Sequence, residues 1–329
     1  MSRLKQPIAV VTGANGFLGK HLCHLLLKNK WHVYAMCRSV EKFNTLKLAA
    51  KPIIADINDV PAMQKGFPDV VDALFHTAAS TNTWFKNNKQ QNKTNLGGMQ
   101  NMINLAKQKQ VKRFIHTSSV VAFGMHQDNE NISEDMEKYG KNSWVNYVRT
   151  KAISELYLLD DKDIDAVVLN PTHIIGPGDR NNWVRLIQMI AQNKLPSIPQ
   201  GSGSFVDVRD VANGLLKAYE QGRKGQNYLL GGHNMSFKTF IDEVAQQLNV
   251  QLRAKQLPTT LLKIVARSKN LLSRFTHKEP DLTPESVALI SDQYSCDSAK
   301  AKAELHYRIS DFKTTIRDTL CDLHDAKLI

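Results

Sequence analysis

Residues 10–22 read VVTGANGFLGKHL. An apolar run stops at Thr12, glycine recurs at positions 13, 16 and 19, and leucine returns with helical spacing at Leu18, Leu22, Leu25 and Leu26. Glycine takes positive φ and, lacking a Cβ, lets backbone or ligand come close. The helix that follows offers free N–H groups and a positive dipole end, which suits a pyrophosphate. The spacing is G-x2-G-x2-G rather than the G-x-G-x-x-G of the dinucleotide fingerprint, and a simple tight turn also uses glycine. Position adds weight, because the triplet closes the first strand of an alternating series.

That series runs through the first half of the chain. PIAVVTG, WHVYAMC, KPIIADI, DALFHTAA, VKRFIHTSS and IDAVVLNPT read as six strands. FLGKHLCHLLLKN, TNLGGMQNMINLAKQKQ and SWVNYVRTKAISELYLLD read as helices between them. Short apolar strands alternating with amphipathic helices imply a parallel sheet covered on both faces. After Pro171 the rhythm changes to turn-rich GPGDRNN and the loop KLPSIPQGSGS; FVDVRDVANGLLKAYEQ and GQNYLLGG then give strand, helix and strand. Beyond residue 232 the pattern is mostly helical. The expected fold is α/β: a doubly wound, Rossmann-type parallel sheet with a smaller, mostly helical substrate-binding domain. The dinucleotide-binding domain is expected at 1–175 and 205–231, and the substrate domain at 176–204 and 232–329.

Composition removes other classes. The N-terminus lacks the pattern of a signal peptide, and no stretch of the 329 residues reaches the length of a membrane span, so a cytoplasmic protein is expected. Cys23, Cys37, Cys296 and Cys321 show neither disulfide pairing nor metal spacing. His21 and His24 share a helix face from which Cys23 points away, so a solvated face is expected there and no metal site. The net charge of +12 comes from scattered lysines and arginines, without an aromatic-interleaved patch or a nucleic-acid module. It reads as solvated surface, and secondarily as attraction for an anionic cofactor.

Two side chains speak to the cofactor's adenosine end. Arg38 follows the second strand, where an acidic residue would bind a ribose 2′-hydroxyl and an arginine suits a 2′-phosphate. NADP(H) is therefore expected over NAD(H). Asp56, after the third strand, is placed to accept from the adenine amino group.

The reacting groups lie further on. YVRTK sets Tyr147 and Lys151 at i and i+4 on one helix face. An adjacent ammonium is expected to lower the phenol's pKa and make Tyr147 a workable acid or base. Ser119, at the carboxyl end of strand five, is placed to donate to a carbonyl oxygen. Strand alternation points Ser118 away.

Together, TGANGFLG, the strand-five TSS, YVRTK and NPTHIIGPGD resemble the extended short-chain dehydrogenase/reductase family, also called the NAD-dependent epimerase/dehydratase family. GSFVDVRDVANGLLKAYEQGRKGQNYLLGG and LPTTLLKIVARSKNLLSRFTHKEPDLTPE are similar to its dihydroflavonol-reductase-like and 3β-hydroxysteroid-dehydrogenase-like branch. The resemblance implies Ser119, Tyr147 and Lys151 as the catalytic trio. It implies cofactor contacts at Gly13, Asn15, Gly16, Phe17, Leu18 and Gly19, at Arg38, Asp56 and Ile57, and at Thr77, Ala78 and Ala79. Asn95, Pro171 and Thr172 complete the set with Tyr147 and Lys151. A homodimer through helices 88–109 and 143–160 is also implied, and no metal.

Within that family the residues favour reduction. Dehydratases carry Thr-Asp-Glu at strand five, where this chain has Ser-Ser-Val-Val. Sugar-nucleotide epimerases place an arginine before the strand that reads FVDV, where this chain has GSGS, although Arg180 and Arg185 remain substitutes. The leading expectation is an NADP(H)-dependent reductase of a ketone or aldehyde, a small-molecule carbonyl. The alternatives are an NAD-dependent sugar epimerase and a non-catalytic NADP-binding sensor. The loop 179–204 and helices near 258–291 are expected to line the substrate pocket. Leu261, Leu262, Ile264 and Val265 would form either an apolar pocket wall or plain domain core. LLKIVARSKNLLSRF, being basic and amphipathic, also fits peripheral contact with a membrane surface.

Overall fold

The computed structural model describes residues 6–125 and 130–329. A seven-stranded sheet organises the fold: β1 Ile8–Thr12, β2 His32–Cys37, β3 Lys51–Ile54, β4 Ala73–His76, β5 Arg113–Thr117, β6 Ala166–Pro171 and β7 Asn227–Leu230. Their spatial order is 3-2-1-4-5-6-7. Every neighbouring pair is parallel. The chain direction across the sheet reverses between β1 and β4, and such a switch point opens a crevice at the carboxyl ends of the strands.

Register brings those ends level. Thr12 pairs with Met36 on one side and with His76 on the other. His76 pairs with His116, and Thr117 with Leu169. The residues that follow, Gly13, Thr77 and Ser118, therefore emerge along one edge. Both faces are sealed. Leu22 and Leu26 of helix Phe17–Lys28 and Val211 and Leu215 of helix Val208–Gln221 cover one. Met63, Met99, Met102 and Leu158 cover the other. Ala301, Leu305 and Tyr307, far along the chain, join the first of these cores.

The helix expected from Thr94 starts earlier. It comprises Asn88–Asn92, a π-type turn at Lys93–Gly97, and Gly98–Gln108. Gly98 lies against Ile57, whose Cδ1 would stand 2.4 Å from an added Cβ. A larger residue there would force the buried Ile57 side chain to shift.

A second layer sits over the carboxyl edge. Strands His173–Ile175, Ser202–Asp207 and His233–Ser236 form a three-stranded sheet. Phe205, Phe237 and Phe240 pack there with Trp183 and His173, and the Phe205 and Phe240 rings stack with centroids 4.5 Å apart. Helices Val184–Ala191, Phe237–Gln247 and Phe312–Asp325 bury Ile187, Val244 and Leu323 in the same core.

Candidate active site

The turn after β1 is built for close approach. Gly13 has φ +64°, and a Cβ there would stand 2.9 Å from the Ala78 backbone leaving β4. At Gly19 a Cβ would stand 2.2 Å from the Gly13 carbonyl oxygen. The first helical turn is thereby seated directly on the loop. Gly16 caps helix Phe17–Lys28 without any side-chain hydrogen bond, and the first turn contains no acidic residue. An anion can reach this helix end. Thr77 Oγ1 donates to the Thr12 carbonyl at 2.6 Å, and Ala78 N–H donates to Thr12 Oγ1 at 3.2 Å, clamping β1 to β4 beneath the turn.

Arg38 is exposed just beyond β2 and has no acidic partner among the described residues. Asp56 follows β3, where Cys37 and Ile54 are paired, so both residues sit at the same end of adjacent strands. Asp56 accepts from the Asn58 backbone at 2.9 Å and its side chain at 2.8 Å. Ile57 is buried and packs on Gly98. The Asn15 backbone N–H meets the Cys37 thiol.

The candidate reacting groups converge from β5 and helix Asn146–Leu159. Ser119 heads the short turn Val120–Phe123 and accepts weakly from Val121 N–H at 3.4 Å. Tyr147 and Lys151 occupy successive turns of the helix. Lys151 Nζ donates to the Thr117 carbonyl at 2.9 Å. Burial lowers the Lys151 pKa to about 8, while Glu155, one turn on, pulls it back up. Burial raises the Tyr147 pKa, and interaction with the Ser119 side chain draws it back down. The phenol is thus raised on balance, burial outweighing the Ser119 interaction, and Lys151 Nζ, with three N–H donors, keeps two beyond its bond to the Thr117 carbonyl.

Below Lys151, His76 and His116 stack with centroids 5.5 Å apart. Burial and the Lys151 charge hold His76 down to about 3 and His116 well below its usual value. Both are therefore neutral and add no second positive charge beneath the site.

A cavity of about 600 Å³ joins turn and reacting groups. Gly13, Gly16, Phe17, Leu18 and Gly19 line one end, with Thr77 and Ala79 beside them. Ser119, Tyr147, Lys151, Pro171 and Thr172 line the middle. Asn15, Arg38, Asp56, Ile57, Ala78 and Asn95 do not line it; Arg38 and Asp56 lie outward along the carboxyl edge toward β3. Asn95, where a cofactor contact is expected, is held by protein partners. Its Oδ1 accepts from Ser80 N–H at 2.7 Å, and its Nδ2 donates to the Ser80 carbonyl and Thr150 Oγ1, each at 3.0 Å. Its side chain ties the chain after β4 to the Tyr147 helix.

Sequence reasoning missed other parts. Ser118 also lines the cavity, because β5 ends at Thr117 and strand alternation ends with it. Asn170 donates to the Ser119 carbonyl at 3.0 Å and also to Glu155, which pairs with Lys138 at 2.5 Å. The signal was present, since Glu155 continues the Tyr147–Lys151 face by one more turn. Asn181, Asn182 and Trp183 from the expected loop reach the cavity, as do Leu289 and Ile290. Leu261, Leu262, Ile264 and Val265 do not form the expected wall. Leu262 is buried in a small cluster with Ala266 and Val287, and the other three are exposed. Arg180 pairs with Asp322 at 2.5 Å and Arg185 with Asp281 at 2.9 Å.

A dinucleotide fits these residues on structural grounds: the glycine turn is a cradle that side chains would fill, and the buried Thr117 Oγ1 and Ser118 Oγ at the cavity have no hydrogen-bond partner among the described residues. Among the described residues no cluster of His, Cys, Asp or Glu could hold a metal ion.

The chain is similar to known proteins. The chain is 27% identical over 333 residues to 3beta-hydroxysteroid-dehydrogenase/decarboxylase isoform 1 of Arabidopsis thaliana, covering 91% of this chain and 75% of that protein. It is 24% identical over 311 residues to 4-hydroxy-2-methyl-3-oxo-4-farnesyl-3,4-dihydroquinoline-1-oxide ketoreductase of Stigmatella aurantiaca, covering 90% of each. The crystal structure of UDP-glucuronic acid 4-epimerase from Bacillus cereus in complex with NAD has the same fold, with TM-score 0.76 and 21% identity over 97% of this chain and 99% of that one. The profile of the NAD dependent epimerase/dehydratase family matches residues 9–231, more than half the chain. A match of that extent, on motifs that already resembled the family, means that this chain belongs to the NAD dependent epimerase/dehydratase family.

Proposed function

We propose that this protein is an NADP(H)-dependent reductase of ketones or aldehydes. The observation that carries the reading is the meeting of Ser119, Tyr147 and Lys151 in the cavity that the glycine turn opens into. When bound, the reduced nicotinamide supplies a hydride to the carbonyl carbon. Gly13, Gly16 and the start of helix Phe17–Lys28 hold the pyrophosphate, and Arg38 takes the 2′-phosphate. Ser119 donates to the carbonyl oxygen. Tyr147 delivers the proton to that oxygen, and its raised pKa keeps the phenol protonated for the purpose. Lys151 donates to the cofactor ribose and keeps a positive charge beside the forming alkoxide. Asn170 and Glu155 fix the Ser119 backbone and the helix that carries Tyr147.

The ketoreductase among the relatives supports this reading. Arg180 and Arg185, the two arginines that could serve a sugar diphosphate, are each engaged with a carboxylate, Asp322 and Asp281. A sugar epimerase is the second reading, favoured by the shared fold of the Bacillus cereus enzyme. The homodimer through helices 88–109 and 143–160 belongs to the same proposal, and the exposure of Leu156 and Tyr157, 41% and 42%, fits it.

The deciding experiment measures NADPH and NADH oxidation against a panel of aldehydes, ketones, flavonoid-like and steroid compounds. A reductase consumes NADPH stoichiometrically with carbonyl loss; an epimerase recycles its cofactor. Tyr147→Phe should lower turnover by about 10²–10⁴-fold with NADPH affinity nearly unchanged. Unchanged turnover removes Tyr147 as the acid.

A further inference from the structure

Helix Thr259–Thr276 buries only Leu262, Ala266 and Ser273. At about 100° per residue these three fall on one face. Leu261, Ile264, Val265, Leu271, Leu272 and Phe275 fall within one arc of about 120° on the outer side of the helix, with exposures from 37% at Val265 to 76% at Phe275. Six large apolar side chains on one stripe are more than the scattered exposure of an ordinary surface. Lys263, Arg267 and Arg274 run along one border of the stripe, and Lys269 stands on the other. The helix contains no Asp or Glu. Lys263 and Arg267 have no acidic partner among the described residues, whereas Lys269 approaches Asp281 at 3.8 Å. No helix among the described residues is long and apolar enough to cross a membrane.

We infer that this helix docks the protein in the plane of an anionic lipid surface. An apolar stripe bordered by basic residues is what an interfacial helix needs: the stripe enters the acyl boundary and the cations meet lipid phosphates. Charge selects this occupant over a second copy of the chain. Two such helices face to face would oppose their basic borders, in a protein that already carries +12. The inference does not depend on the proposed reductase activity. Leu262 and Ala266 pack on Val287 of helix Pro284–Ile290, whose Leu289 and Ile290 line the cavity, so the docking face stands one helix away from it.

The test is co-sedimentation of the full chain with sucrose-loaded vesicles of phosphatidylcholine alone or mixed with phosphatidylserine. The protein should sediment with the mixed vesicles, fail to do so with the neutral ones, and be released by high salt. Lys263→Ala with Arg267→Ala should weaken binding roughly thirtyfold. Leu272→Glu with Phe275→Glu should abolish it. All four positions are exposed, and an unchanged melting temperature and unchanged dinucleotide binding show that the fold is kept. No binding to mixed vesicles, or equal binding to both kinds, overturns the inference. So does a wild type that ignores vesicles but forms a dimer that Leu272→Glu with Phe275→Glu dissociates; the stripe would then be a protein interface.

Discussion

Lys151 donates from Nζ to the Thr117 carbonyl oxygen at 2.9 Å, linking the helix that carries Tyr147 to the end of the strand that leads to Ser119. The bond is buried, with Lys151 only 4% exposed. Burial has brought its pKa from 10.5 to about 8, so in the free enzyme it is mostly charged at neutral pH and loses its proton just above. A charged Lys151 is the form the proposed mechanism uses. Activity as kcat/KM is therefore expected to fall as pH rises through about 8. A profile flat to pH 10 would remove Lys151 as the titrating group.

The same burial makes Lys151 costly to the fold. Its folded pKa is depressed below that of the unfolded chain, so between about 8 and 10.5 the unfolded state binds more protons and stability rises with pH. Below that window the cost of the buried charge is present in full. Lys151→Met keeps the aliphatic stem and removes the charge. It is expected to raise stability at pH 7 by on the order of 1–3 kcal/mol while abolishing turnover. Denaturant unfolding of the two proteins checks this, and a destabilised Lys151→Met would show that the Thr117 bond outweighs the burial.

Gly19→Ala tests the cradle. The added Cβ would stand 2.2 Å from the Gly13 carbonyl oxygen, a backbone atom that cannot swing aside. Either the helix start lifts or the loop shifts, and both move the N–H groups proposed to meet the pyrophosphate. Calorimetric titration should show dinucleotide affinity reduced by at least about tenfold, and melting should show a loss of about 1–3 kcal/mol. Wild-type affinity in Gly19→Ala would mean that the cofactor does not lie on this turn.

The order of strands and the placing of Tyr147 and Lys151 on successive helical turns were legible because both follow from strong local periods: apolar runs ended by turn residues, and a four-residue step on a helix. The glycine turn was legible because steric need and residue type coincide there. Ser118 was misjudged because alternation was extended one residue past the end of β5. The partners of Asn95, Ser80 and Thr150, were not legible because they come from elements that only the fold brings together. Leu261 and Ile264 have the apolar pattern of a core or pocket face, and nothing local tells a buried stripe from an exposed one. The approach of Ser119 to Tyr147 joins two elements distant in sequence, which no spacing encodes.

In the proposed function Arg38 carries the cofactor preference. It is exposed beyond β2 and has no acidic partner among the described residues, so replacing it breaks no ion pair there. Arg38→Ala is expected to raise KM for NADPH by about 10–100-fold, consistent with the loss of a charge-assisted phosphate contact of roughly 1.5–3 kcal/mol, with little effect on NADH. Steady-state kinetics with both cofactors reads the ratio. An equal loss with both, or none with either, would place the 2′-phosphate elsewhere or show NAD(H) to be the natural cofactor.

Glu155 is buried one helical turn beyond Lys151, pairs with Lys138 at 2.5 Å, and accepts from Asn170, which in turn donates to the Ser119 carbonyl at 3.0 Å. It thus acts on both reacting neighbours: its charge raises the Lys151 pKa, and its hydrogen bond sets the Asn170 amide that steadies Ser119. Glu155→Gln keeps the shape and removes the charge. The Lys151 ammonium then loses its compensating carboxylate, its pKa falls below about 8, and the alkaline loss of kcat/KM should begin at lower pH than in the wild type. Destabilisation is also expected, because Lys138 is left without its buried partner, but a purely structural role would lower activity at all pH values alike. The displaced pH limb separates the two, and a limb that stays in place while activity falls uniformly would assign Glu155 to packing alone.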